Sequence, residues 1–193
     1  MVELNLEIDG EQMSFNIPDS WNEVSVEKFT NIFNIDRDGL SPIELTVKVV
    51  GILLNIDEDY LYMMSPDDFS TITKCIEFTN HDVVGSEVEF IEVDGEKYYL
   101  KKDFEKLTMG EIISLELLIE QSNGNVVSKM ADMLCLFLRK KKDDGNLESF
   151  KNSFMLRAEK FKEVSIADVN DIFLFFSDGE NSSIDNMKDS LEK

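Results

Sequence analysis

The stretch EIDGEQMSFNIPDSWNEVSVEKF, residues 7–29, has a counterpart further along the chain, EVDGEKYYLKKDFEKLTMGEI, residues 92–112. In the first, Asp9-Gly10 is a type I′ hairpin signal, because both central residues of that turn need positive φ and Asp followed by Gly tolerates this best. Counting outward from the turn pairs Ile8 with Glu11, Leu6 with Met13, Leu4 with Phe15 and Val2 with Ile17, which makes one face almost wholly apolar. In the second, Asp94-Gly95 pairs Val93 with Glu96, Ile91 with Tyr98 and Glu89 with Leu100. Its other face sets Phe90 against Tyr99 and Glu92 against Lys97, so the second hairpin is apolar on parts of both faces and predicts a more enclosed position.

Each hairpin is followed by a connector and a helix start. VSVEKFTNIF begins at Ser25 as N-cap, and LTMGEIISLELLI begins at Thr108 with Glu111 at N3, a capping box in which two orphan amides are satisfied reciprocally. Val24 and Leu107 stand where a hydrophobic staple falls. A second helix follows in each: SPIELTVKVVGILL, capped by Ser41 with Pro42 at N1 and Glu44 at N3, places Leu45, Val49, Ile52 and Leu53 on one face. Its counterpart NVVSKMADMLCLFLRK places Val126, Met130, Met133, Leu134 and Phe137 together. A third pair, SPDDFSTITKCIEF and SIADVNDIFLFF, matches Ser65 with Ser165, Asp68 with Asp168 and Ile72 with Ile172.

The second half also carries an insertion, around residues 143–162, with Leu147, Phe150, Phe154 and Phe161 at amphipathic spacing and Asn146 as cap. The expected fold is therefore α+β and mostly helical: a tandem duplication of a β-hairpin followed by three helices, with one extra helix inserted in the second copy. The units are expected at 1–84 and 85–181, followed by an acidic and polar tail at 182–193.

With 193 residues and 42% hydrophobic content, the chain has material for a core. Apolar runs such as VKVVGILL are too short to cross a bilayer, and no basic region precedes an apolar run at the N-terminus, so a soluble, unexported protein is expected. Forty acidic residues against nineteen basic ones give a net charge of −21, which opposes binding to nucleic acid or anionic membrane. The imbalance is uneven: residues 1–84 hold 17 acids and 4 bases, whereas residues 129–162 hold 9 bases and 5 acids.

Catalytic and metal signatures are sparse. The single histidine, His81, lies at the junction of the two expected units, which leaves triads and histidine-based metal sites without material. No phosphate loop or dinucleotide fingerprint is present. The segment Asn34, Asp36, Asp38, Gly39 imitates the opening of a calcium loop, but Glu44 comes one position too early for the bidentate ligand and is well placed as a helix cap. DEDY at 57–60 reads as a solvated loop. Cys75 and Cys135 sit among apolar residues and read as buried thiols in a reducing compartment. The expectation is a protein with no catalytic, metal or cofactor site.

Two features stand as possible partner-binding elements. Arg139, Lys140, Lys141 and Lys142 read as the C-terminal end of a helix, where cations complement the dipole, or as an electrostatic docking patch for an acidic neighbour, another copy of this chain included. Trp21, the only tryptophan, reads as a lid over the core between hairpin and first helix, or as a partner anchor. Phe104 takes the equivalent place in the second half.

The phrase NIPDSWNEVSVEKFTNIF resembles the opening of small acidic proteins of tailed Bacteroidetes bacteriophages, crAss-like phages among them. In these, a segment I-P-x-S-W-x-E-V-T-x-x-x-F follows an N-terminal hairpin. Ile17, Pro18, Ser20, Trp21, Glu23, Val24 and Phe29 match it, and Ser25 stands where Thr is usual. The resemblance implies a virion component or a tail-assembly-chaperone-like factor, located in the virion or in the host cytoplasm during assembly, whose partners are other phage structural proteins. It brings no catalytic residues. An alternative expectation, from the charge alone, is an acidic DNA mimic that inhibits a host nucleic-acid-binding enzyme.

Overall fold

A computed structural model describes residues 1–8, 11–86, 88–101 and 107–170. The architecture is α+β, with helices and two small antiparallel sheets of two and three strands. Among the described residues no helix is long and apolar enough to cross a membrane. The described residues divide into two compact units, one of Met1–Val84 with Ser165–Ala167, the other of Gly85–Val164 with residues 168–170.

In the first unit, β1 (Val2–Ile8) and β2 (Glu11–Ile17) pair in the register that the alternation predicts, with Val2 opposite Ile17 and Leu4 opposite Phe15. The Asp9-Gly10 turn lies outside the described residues. Phe15 and Ile17 are buried, so the apolar face of the ribbon is its core face. Helix α1 (Val26–Phe33) starts where the Ser25 hydroxyl accepts the Lys28 amide, and it buries Val26 and Phe29. Helix α2 (Pro42–Leu54) opens on the expected capping box and ends at Asn55 in the left-handed region, φ 55°, a conformation that Asn tolerates better than most residues. Its buried face is Val47, Val50, Gly51 and Leu53, so the face expected from Leu45, Val49 and Ile52 is rotated and only Leu53 is shared. Gly51 lies on that buried face, where a Cβ would meet the Ile56 carbonyl at 3.2 Å. The chain turning back after α2 needs the small residue on the inner side.

DEDY does not form a loop. Asp57 caps a short helix α3 (Glu58–Tyr62), accepting the Asp59 amide at 3.0 Å. Helix α4 (Pro66–Cys75) follows with Ser65 as cap and Ile72 buried. Ser165 forms an antiparallel bridge with Ser25, the Ile166 amide donates to the Val24 carbonyl at 2.9 Å, and Ile166 is fully buried. Ser165, the residue matched with the Ser65 cap, is thus held by strand-like pairing. A 3-10 turn at Ala167–Val169 succeeds it, and the rest of SIADVNDIFLFF, with the tail 182–193, lies outside the described residues.

In the second unit, β3 (Ile91–Val93) and β4 (Glu96–Leu100) pair as predicted, with Val93 opposite Glu96 and Ile91 opposite Tyr98. Asp94 and Gly95 have φ of 53° and 72°, the two positive values that a type I′ turn requires. Helix α5 (Met109–Ser122) has the expected Thr108 and Glu111 box, and Asn123 ends it with φ 51°. A 3-10 turn at Val126–Lys129 leads into α6 (Met130–Phe137), which is buried on almost every side.

Here the expected helix end gives way to strand. Leu138–Arg139 forms β5 and pairs with β4, Tyr99 opposite Arg139 and Leu100 opposite Leu138. Beyond it, Lys141 bridges Leu147 and the Glu148 amide donates to the Lys140 carbonyl at 2.9 Å. A small hairpin thus turns at Gly145, φ 78°. The single amphipathic helix expected from Asn146 does not form, because Leu147 is held by that bridge. The segment continues as a 3-10 turn at Asn152–Arg157 and a single α turn, α7 (Ala158–Phe161). Its apolar residues do go inward, as Phe154 and Phe161 are buried.

Candidate functional site

The Glu111 carboxylate sits at the start of α5, only 2% exposed. Its Oε2 accepts the Thr108 amide at 2.7 Å and hydroxyl at 2.8 Å, closing the capping box. The same carboxylate receives Lys101 Nζ at 2.9 and 2.8 Å, and its Oε1 takes Arg139 Nη2 at 3.0 Å. Burial works to raise the Glu111 pKa, but the donors from Lys101 and Thr108 outweigh it and hold the carboxyl below its ordinary value. Arg139, 1% exposed, also donates through Nη1 to the Cys135 carbonyl at 2.5 Å, closing an end of α6 that a capping side chain would otherwise serve. Burial lowers its pKa, against the pull of Glu111. Its guanidinium carbon lies 5.0 Å from the Phe154 ring centroid and 5.4 Å from that of Phe150.

A second cluster in the same unit centres on Glu148. Arg157 grips it through two nitrogens at 2.5 and 3.3 Å, and the Lys140 amide donates to it at 3.1 Å. Burial would raise the Glu148 pKa, yet Arg157 brings it below its usual value. The Arg157 guanidinium lies 3.9 Å from the Phe154 ring centroid. Lys140 Nζ reaches Glu96, which also accepts the Tyr98 hydroxyl at 2.8 Å. Burial and the Glu96 carboxylate push the Tyr98 phenol up to about 12. Lys160 pairs with Asp94 at 2.8 Å.

These contacts redistribute the basic run. Arg139 is interior and is not a surface docking cation. Lys140 is half-buried and paired. Lys141 and Lys142 are exposed, with Lys141 Nζ 3.7 Å from the Tyr99 ring centroid and 3.5 Å from Glu89, and Lys142 3.5 Å from Asp144. Trp21 packs edge-on against Phe29 and Phe78, ring centroids 5.5 and 5.2 Å away, and its indole N–H donates to the His81 carbonyl at 3.0 Å. That is the geometry of a lid over the first unit's core. Phe104 lies outside the described residues.

Cys135 is buried, which pushes its thiol up to about 12, while Cys75 is only half-buried. Glu44 is occupied as a cap, accepting the Ser41 amide at 2.8 Å, and Asp36 accepts the Asp38 amide at 3.1 Å. Among the described residues no group of His, Cys, Asp and Glu is arranged to hold a metal ion. A recess between Ser86, Glu89, Phe90 and Asp168 measures about 10 Å³, room for one water molecule.

What the sequence reading missed is on α5. Met109, Ile113 and Leu117 recur every fourth residue and are 55%, 51% and 50% exposed, while Leu115 and Leu118 face the core. The signal was present: MGEIISLELLIEQS is apolar around more than the one face that a core-facing helix uses. Leu156 and, in the first unit, Tyr60, Tyr62 and Met63 are also exposed. No family model matches the chain, and searches of curated proteins and of solved structures each return no match.

Proposed function

We propose that this protein is a non-catalytic bacteriophage structural or morphogenesis factor, a virion component or a tail-assembly-chaperone-like protein, that works by binding other phage proteins. The observation that carries the reading is the apolar stripe Met109, Ile113, Leu117 left in water on α5, a helix made rigid by its capping box and its left-handed stop. Exposed apolar side chains of this size in a row mark association surfaces. The I-P-x-S-W-x-E-V resemblance at Ile17–Val24 supplies the phage context, and an ancestral doubling of a hairpin-and-helices unit accounts for the two Asp-Gly ribbons and the matched caps. The buried carboxylate of Glu111 and the half-buried one of Glu148 support a scaffold role, because each is neutralised by neighbours rather than held ready for proton transfer.

The test is mass spectrometry of purified phage particles, together with crosslinking of infected cells. Recovery of the chain in particles, or attached to particle proteins, supports the reading. Its absence from particles, with a host nuclease or polymerase as the crosslinked partner, overturns it in favour of DNA mimicry.

A further inference from the structure

We propose that the α5 stripe receives an amphipathic helix that carries lysine or arginine beside its own apolar face. The inference deepens the proposed function and rests on it for the nature of the partner as a protein. Met109 and Leu117 lie eight residue steps apart, about 12 Å of helix at 1.5 Å per residue, with Ile113 midway. Anchors at successive i, i+4 positions along one helix are matched by a second helix lying along the ridge, which supplies its own apolar residues at the same repeat.

Charge selects the occupant. At 100° per residue, Glu116 and Glu120 fall on the stripe's own flank, while Glu111, Leu115 and Leu118 fall on the opposite, core-facing side. Glu116 and Glu120 are exposed, and neither makes an ion pair with a described residue. A helix docking on the stripe therefore brings its polar flank against two carboxylates that no described cation pairs. Lysine or arginine there is favoured, and glutamate or aspartate is repelled. A second copy of this chain is the wrong occupant on two counts. It would set Glu116 and Glu120 beside another acidic helix, and it would bring together two bodies of net charge −21.

The full-length chain is titrated, at physiological ionic strength, with a leucine and lysine peptide of about four helical turns whose leucines follow i, i+3, i+4, i+7 spacing. Binding is followed by fluorescence anisotropy of the labelled peptide. A scrambled peptide of the same composition, which has the charge without the apolar face, is the control. The expected result is saturable one-to-one binding of the patterned peptide, weakened about tenfold or more by Ile113→Gln and by Leu117→Gln. Both replacements are exposed and helix-compatible, and far-UV circular dichroism checks that they fold.

Equal binding of the scrambled peptide, or binding unchanged in both variants, overturns the proposal. So does sedimentation equilibrium showing a dimer of the free chain that Ile113→Gln dissolves, since the occupant would then be a second copy. Should the peptide fail while a particle protein crosslinks through Tyr62 of the first unit, the proposed function stands and only this inference falls.

Discussion

Glu44 and Glu111 hold the same position in the same motif. Each is the N3 residue of a capping box, with a hydroxyl residue three places earlier, and each accepts the backbone amide of its cap. Glu44 lies in water at the start of α2, and its pKa is lowered by the Ser41 hydroxyl and amide. Glu111 is enclosed, and the chain has brought Lys101 and Arg139 to it from either side in sequence. The local code is identical, so the difference between a helix start and a buried ionic centre is made entirely by what packs over it.

Removing the charge tests that contrast most directly. Glu111→Gln leaves an acceptor for Thr108 but strands Arg139 in the interior, and is expected to destabilise by about 3–5 kcal/mol, read as a lowered urea midpoint. Glu111→Leu combined with Arg139→Met should restore much of that loss, since two buried apolar groups replace a buried pair. If the single and double variants are equally unstable, the pairing is not what holds this region.

Acid should act next most strongly, and in the same unit. The Glu111 and Glu148 pKa values are both lowered on folding, so the unfolded chain binds more protons than the folded one once pH falls toward about 4.3, the ordinary glutamate value. The stability they supply is complete above that value and drains as pH drops through the lowered native ones. A urea midpoint that is flat from neutral pH to about 5 and then falls is the expected profile. The fall should be shallower in Glu111→Gln, and an equal fall in that variant would assign the acid sensitivity elsewhere.

Smaller effects sharpen the contrast. Tyr98→Phe removes one hydroxyl that donates to Glu96 and should cost about 1 kcal/mol, measured by thermal melting. It should also abolish a phenol titration displaced to about 12. Glu44→Gln should change the urea midpoint least, because water replaces what the carboxylate supplied. A loss comparable to that of Glu111→Gln would refute the difference drawn between the two boxes.

Caps were legible in the sequence because capping is local. Ser25, Ser41, Ser65 and Thr108 each accept the amide three residues on, a geometry fixed by the residue and its next turn. The β1–β2 register was legible for the same reason, since alternation around one turn leaves a single pairing that buries Phe15 and Ile17 together. Arg139 was not legible. As the end of an apolar helix it satisfies every local rule, and only β4 and Glu111, distant in sequence, make it an interior strand residue. The inserted segment misleads in a related way: Phe154 and Phe161, part of its amphipathic pattern, are buried, but the Lys141–Leu147 bridge consumes the start of the helix that their spacing suggests. Exposure of Met109, Ile113 and Leu117 was visible only as an excess of apolar residues.

The Ser165–Ala167 segment gives the first unit a property that its cores and caps do not. During synthesis, residues 1–84 leave the ribosome long before Ile166 exists, so the ribbon and its helices wait for their last buried side chain until the intervening chain has been made. Maturation of the first unit is thereby timed by the emergence of the chain through Ile166, and a nascent chain halted short of that point carries an open seam beside Val24 and Ser25.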